Sequence, residues 1–173
     1  MGPRQEIYNL DDDRCRARLN QCYRAQEATR VMLTDRIQPS ERLIAATFTL
    51  ERHARGVRLD EIEAKKALRM FLRMINQRVF RNGFHRKGLR INVCPALEGI
   101  GSEHLHFHCI FETPDRWSVE EYKQLLENTW TQRLDFGADE IDIKSNIDHG
   151  WTDYITKYAN IEGEIEWDQF HWV

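Results

Sequence analysis

The chain is predicted to fold as an α+β domain, with a central antiparallel β-sheet, helices flanking its faces and an extra N-terminal helix. Three observations predict this. Short runs rich in branched and aromatic residues alternate with longer segments of helical period. Two strand-like runs, 89–97 and 104–111, lie on either side of Gly99 and Gly101, close enough to pair as an antiparallel hairpin. The order strand, helix, strand, strand, helix, strand, helix lacks the regular alternation of a doubly wound parallel sheet.

Taken in order, residues 11–35 read as a helix with Leu19, Cys22, Tyr23, Val31 and Met32 as its apolar minority. Pro39 and Ser40 close it, so residues 1–40 form an N-terminal helical extension and 41–173 the main domain. Residues 43–50, LIAATFTL, read as a buried strand. Asp60 and Glu63 then resemble a capping box, and Ala64, Ala67, Leu68, Phe71, Leu72, Ile75 and Val79 recur at helical spacing. Asn82 and Gly83 end that helix. Leu89, Ile91 and Val93 alternate as the start of a second strand reaching about Leu97, and 104–111 form the third. Ser118 with Glu121 is a second capping box, followed by Tyr122, Leu125, Leu126, Thr129 and Trp130 on one face. Ile141 and Ile143 mark a short fourth strand, and 150–160 read as the last helix.

At 173 residues the chain fits one domain able to bury its own core. Its 41% hydrophobic and 31% charged residues are an ordinary soluble mixture and give no functional clue. No apolar run approaches the ~18 residues of a membrane span. The N-terminus lacks the apolar core of a secretory signal, and a cytoplasmic protein is expected. Cys15, Cys22, Cys94 and Cys109 include no CxxC pair, so they read as free thiols and not as a zinc knuckle. A net charge of −3 argues against a non-specific nucleic-acid coat, but a locally basic surface is still open. Arg78, Arg81, Arg86, Lys87 and Arg90 make such a cluster, with His85 among them. Negative charge gathers at Glu162, Glu164, Glu166 and Asp168. Both groups also fit the description of solvated faces.

The stretch EHLHFHCIFETP is the most informative in the chain. On a strand, Leu105, Phe107, Cys109 and Phe111 share an apolar face and His104, His106 and His108 share the other. Neutral imidazoles from one strand can share a divalent ion. A carboxylate would complete a site for a hard ion such as Mg²⁺ or Mn²⁺. If the hairpin closes near Gly99, Glu98 returns beside the histidines, whereas Glu103 points to the other face. Such spacing also occurs in metal hydrolases, in cupin-like binders and on plain polar strand faces. Further on, DYITKY places Tyr154, Lys157 and Tyr158 on one helix face. A tyrosine can attack phosphorus covalently, given a metal and nearby positive charge. Taken alone, the two phenols read more readily as packing residues beside Trp151 and Ile155; the preceding metal platform is what gives them interest.

Together, TFTL at 47–50, HFH at 106–108 continued by CIFE, and YITK at 154–157 resemble, in this order, three motifs of the HUH endonucleases, specifically the rolling-circle replication initiators. The resemblance spans about residues 43–160 and implies that family's RRM-like sheet. It implies a structural or DNA-contact role for the first motif, Thr49 included. It implies His106, His108 and Glu98 as ligands of Mn²⁺ or Mg²⁺, and Tyr154 as nucleophile with Lys157 assisting. Tyr158 resembles the second tyrosine of initiators with a YxxxY arrangement. HLH at 104–106 also satisfies the histidine motif, which keeps His104 as an alternative ligand. The activity implied is nicking and rejoining of single-stranded DNA at a replication origin through a 5′-phosphotyrosine. Arg78, Arg81, Arg86, Lys87 and Arg90 would guide the strand. The chain has no GxxxxGK[ST] loop, so a separate helicase is the expected partner in a bacterial, phage or plasmid setting. The rivals are a single-strand transposase of the same superfamily, a relaxase using Tyr8 or Tyr23, a non-cleaving DNA-binding regulator, and a metal hydrolase that needs no tyrosine.

Overall fold

The computed structural model describes residues 3–54, 56–100, 104–145, 147–148, 150–156 and 163–173. In chain order the elements are α1 (Pro3–Arg36), β1 (Leu43–Leu50), a small hairpin of β2 (His53–Ala54) and β3 (Val57–Arg58), α2 (Glu61–Phe80), α3 (Asn82–Lys87), β4 (Val93–Glu98), β5 (His106–Glu112), α4 (Val119–Arg133), β6 (Gly137–Ser145), α5 (Gly150–Thr156) and β7 (Gly163–Ile165). The fold is α+β. Five strands form one sheet in the order β6-β1-β5-β4-β7, with every neighbouring pair antiparallel.

Strand alternation divides the sheet into two faces with different covers. One face carries Ala46, Phe48 and Leu50 of β1, Val93 and Leu97 of β4, and Phe107, Cys109 and Phe111 of β5. Onto it pack α2 through Leu68, Phe71 and Ile75, and α4 through Tyr122, Leu126 and Trp130. Phe48 is the hub, with ring centroids 5.1 Å from Phe71 and 4.7 Å from Trp130. Each such pair contributes ~0.5–1.5 kcal/mol beyond the area it buries. Gly137 opens β6 where a Cβ would meet the Trp130 carbonyl oxygen at 2.1 Å, so this close approach of α4 and β6 requires glycine.

The other face is apolar along only half its length. Leu43 and Ala45 of β1, Cys94 and Ala96 of β4 and Ile110 of β5 meet Leu33 of α1, Ile155 of α5, and also Ile37, Ile147 and Ile165. On the same face, further along the same strands, the side chains turn polar: Thr47 and Thr49, Glu98, His106 and His108. The histidines therefore sit at the edge of a second core, whose apolar half is covered by α1 and α5.

α2 starts as its sequence predicts, with the Asp60 side chain accepting from the Glu63 amide at 2.8 Å. α4 starts with the full reciprocal box of Ser118 and Glu121. Three expectations change. Asn82 and Gly83 do not end the helical segment: the break falls at Arg81, whose φ of 50° stops α2, and α3 restarts at once. Gly88, left-handed at φ 66°, closes α3. Residues 89–92 are not strand, because their amides go to the helical layer: Leu89 N–H donates to the Gly83 carbonyl and Ile91 N–H to Asn76 Oδ1 at 2.8 Å. The acidic C-terminal stretch is not simply a solvated face, since β7 adds a fifth strand. Glu166, just after it, is buried against Lys65 Nζ at 3.2 Å, and the same ammonium reaches Glu61 at 2.8 Å.

α1 is anchored mainly through its C-terminal part. Gln26 Nε2 donates to the Thr156 carbonyl at 2.6 Å, Arg30 pairs with Asp153 at 3.0 Å, and Thr34 meets Thr152 at 3.4 Å. The extension thus braces the helix that carries Tyr154. Among the described residues no helix is long and apolar enough to cross a membrane. All four cysteines are free, with Cys15 and Cys22 exposed and Cys94 and Cys109 buried.

Candidate metal centre and tyrosine

Register assembles the site. The turn after β4 begins at Gly99, with φ 82°, and returns the chain so that Glu98 lies directly opposite His106 and Ala96 opposite His108. On the other side of β5, Thr49 lies opposite His106 and Thr47 opposite His108. Facing residues of an antiparallel pair project to the same side. The expected hairpin therefore brings Glu98 to the histidines.

Glu98 Oε2 lies 3.6 Å from His106 Nε2 and 3.4 Å from His108 Nε2. Both distances are long for hydrogen bonds. The Nδ1 atoms are engaged elsewhere: His106 Nδ1 with the His104 carbonyl at 3.1 Å and His108 Nδ1 with Thr47 Oγ1 at 2.9 Å. With the proton on Nδ1, each ring offers its Nε2 lone pair toward Glu98, as a metal-ligating histidine does when a second partner holds its other nitrogen. Glu98 Oε1 is buried with no hydrogen-bond partner among the described residues. One ligand atom from each residue can be chosen so that all three lie within 4.8 Å of one another. Two imidazoles, one carboxylate, and an orphaned carboxylate oxygen fit a divalent cation, so the cluster could hold a metal ion. Its charge balance points the same way. Burial, the largest influence on Glu98, pushes its carboxyl up, but the two histidines outweigh it and hold it below the usual value. Glu98 in turn raises the His106 imidazole.

Tyr154 enters from α5. The Gly150 amide at its start is held by Asp148 Oδ1 at 2.9 Å, and Ile155 buries into the second core. This orientation puts the Tyr154 hydroxyl 3.4 Å from His108 Nε2, with the two rings edge-on at 4.8 Å. Trp151 packs on the other side of the Tyr154 ring at 5.4 Å. Tyr154 as a residue stays 41% exposed, beside the nearly buried cluster.

The other expected site residues are placed as follows. His104 precedes β5 in an exposed position and is not part of the cluster, because pairing begins at His106 and strand alternation does not extend to it. Its Nε2 accepts from Arg52 at 3.0 Å, and its carbonyl serves His106. Thr49 is half-buried beside His106, and its carbonyl accepts from Trp130 Nε1. Arg78, Arg81, Arg86, Lys87 and Arg90 are not brought to the cluster. They belong to the α2–α3 layer on the opposite face, next to the start of β4, while Glu98 ends β4 about 17 Å away along the strand. Arg90 instead lies over the Phe84 ring at 4.2 Å. Lys157, Tyr158 and Glu103 lie outside the described residues. Sequence reasoning missed Thr47 as the partner of His108. Its only sequence signal was the polar alternation inside TFTL. Comparison with protein-family models, with curated proteins and with solved structures finds no match to this chain.

Proposed function

We propose that the chain is a metal-dependent tyrosine endonuclease and strand transferase of the HUH type, which nicks and rejoins single-stranded DNA as a rolling-circle replication initiator. One observation carries the reading: the hydroxyl of a partly exposed tyrosine lies 3.4 Å from an imidazole of a two-histidine, one-carboxylate cluster, although 46 residues separate them. A plain metal hydrolase would not need a tyrosine nucleophile there.

Glu98, His106 and His108 would hold Mn²⁺ or Mg²⁺, which supplies Lewis-acid polarisation of a phosphate oxygen. Thr47 and the His104 carbonyl orient the two imidazoles. Trp151 and α1 fix the helix from which Tyr154 Oη attacks phosphorus. The phenol proton leaves to water at this half-open position, and the departing 3′ oxygen takes one up. The products are a 5′-phosphotyrosine and a free 3′-hydroxyl. One phosphodiester has replaced another, so a 3′-hydroxyl can reverse the step without ATP. Lys157 would balance charge on the phosphate and Tyr158 would serve a second strand. A separate helicase would open the duplex.

The test is a denaturing gel for a covalent protein–DNA adduct after incubation with Mn²⁺ and a pool of single-stranded oligonucleotides. An adduct lost with EDTA, with Tyr154→Phe and with the His106→Ala, His108→Ala double variant is the expected result. Loss only with Tyr158→Phe would reassign the nucleophile. Cleavage with no adduct would replace the reading with a metal nuclease, and DNA binding with neither would replace it with a non-cleaving regulator.

A further inference from the structure

α1 is 34 residues long, about 51 Å at helical rise, and its described contacts with the domain come from its C-terminal part. Every side chain from Cys15 to Ala25 is exposed. Leu19 is 65% and Tyr23 69% exposed, more than an element that exists only to brace α5 would need.

Two further features give this stretch a direction and a chemistry. Thr34, Arg30 and Gln26, which grip α5, follow helical spacing, and the same face continues through Tyr23 and Leu19 to Arg16. Gln26 already meets Thr156, the last residue of α5, so Tyr23 and Arg16 carry that face beyond it. Tyr23, Gln26 and Arg30 line a cleft of ≈ 390 Å³ whose other wall includes Asp153 and Tyr154. Glu27, which also lines it, is engaged by Arg30 at 2.6 Å. The second feature is charge. Between Asp13 and Glu27 the chain carries Arg14, Arg16, Arg18 and Arg24 and no acidic residue, in a protein whose net charge is −3.

Guanidinium groups along a track and an exposed aromatic face are what an unpaired nucleic-acid strand needs: phosphates meet the cations and a base stacks on the ring. We propose that the exposed stretch of α1, through Arg16, Tyr23 and Arg24, which fall within one arc of the helix, binds single-stranded DNA continuing out of the Tyr154 cleft. The proposal rests on the endonuclease reading and names where that enzyme holds its substrate. The strand lies along α1, on the tyrosine side of the sheet, and not on the Arg78–Arg90 cluster behind it.

Binding of a labelled oligothymidine, followed by fluorescence anisotropy over a range of salt concentrations, tests this in the Tyr154→Phe protein, which cannot cleave. Replacing Arg16 and Arg24 together by Gln should lower the salt slope by about 1.4, since each phosphate contact on a single strand contributes ~0.7. Tyr23→Ala should weaken binding about 5- to 100-fold, and Tyr23→Phe, which keeps the ring, should restore it. The pair Arg86→Gln, Lys87→Gln should leave both quantities unchanged. The proposal is overturned if the Arg16→Gln, Arg24→Gln variant keeps the parental slope and affinity, if Tyr23→Phe binds as weakly as Tyr23→Ala, or if a duplex or an RNA of equal length is preferred over the single strand. Adduct formation by the wild-type chain, scored on the oligonucleotide pool, separates the two failures. An adduct with unaffected α1 variants removes the α1 site alone, whereas no adduct and no single-strand binding removes both readings.

Discussion

Thr47→Val removes one hydroxyl and keeps the branched shape that suits a strand, so it isolates the bond between Thr47 Oγ1 and His108 Nδ1. The bond is 2.9 Å long and His108 is 4% exposed, so water has little room to replace the lost partner. Leaving a buried ring nitrogen unpaired costs ~1–3 kcal/mol. The ring is also released to rotate, which turns Nε2 away from Glu98. Loss of such an orienting partner typically weakens metal affinity 10- to 100-fold, about 1.4–2.8 kcal/mol, in agreement with the first figure. Calorimetric titration with Mn²⁺ on wild type, Thr47→Val and Thr47→Ser measures it. Thr47→Ser, which keeps the hydroxyl, should bind within a few-fold of wild type. Equal Mn²⁺ affinity in wild type and Thr47→Val would refute the reasoning, as would a serine variant as weak as the valine.

Other expectations follow from the same geometry. Glu98→Gln should abolish the rise in melting temperature that Mn²⁺ gives, while His104→Ala should leave that rise intact, both read by thermal denaturation with and without EDTA. The metal's stabilisation should grow with pH. His106 is raised in the metal-free protein, so its stabilising contact with Glu98 is fully present below the ordinary histidine value of about 6.5 and is lost as the pH rises through the raised one. A cation competes with that proton, and melting shifts measured from pH 5 to 8 should therefore increase steadily; a flat profile would exclude the competition. Phe71→Ala, in the core behind the sheet, should cost about 3–5 kcal/mol in urea unfolding without changing Mn²⁺ affinity of the folded protein.

Much of the fold was legible in the sequence because its signals are local. LIAATFTL is a strand with the expected bounds, and both helix caps fall where a side-chain oxygen precedes a glutamate by three residues. Period-two alternation placed Phe107, Cys109 and Phe111 on one face and His106 and His108 on the other. The elements that were missed are short or unusual. α3 follows a left-handed arginine, and β7 is three residues long in an acidic stretch. The loss of strand at 89–92 depended on Asn76, fifteen residues away, taking an amide that the sheet would otherwise use.

For the site, the sequence by itself narrowed the metal-binding candidates to Glu98 and the three histidines of one strand and, through the turn at Gly99, placed Glu98 beside them. Both are consequences of strand period and hairpin closure, which depend on neighbours in sequence. Tertiary structure decided the rest. Thr47 became the partner of His108 by the β1–β5 register, across 61 residues. Tyr154 reached His108 because Ile155 buries into the second core and α1 braces α5 from outside. The Arg78–Arg90 cluster was separated from the Glu98–His106–His108 cluster because α2 packs its apolar stripe on the opposite face of the sheet. Which distant elements meet depends on the complementarity of buried surfaces, a property of the packed chain that no short window of sequence contains.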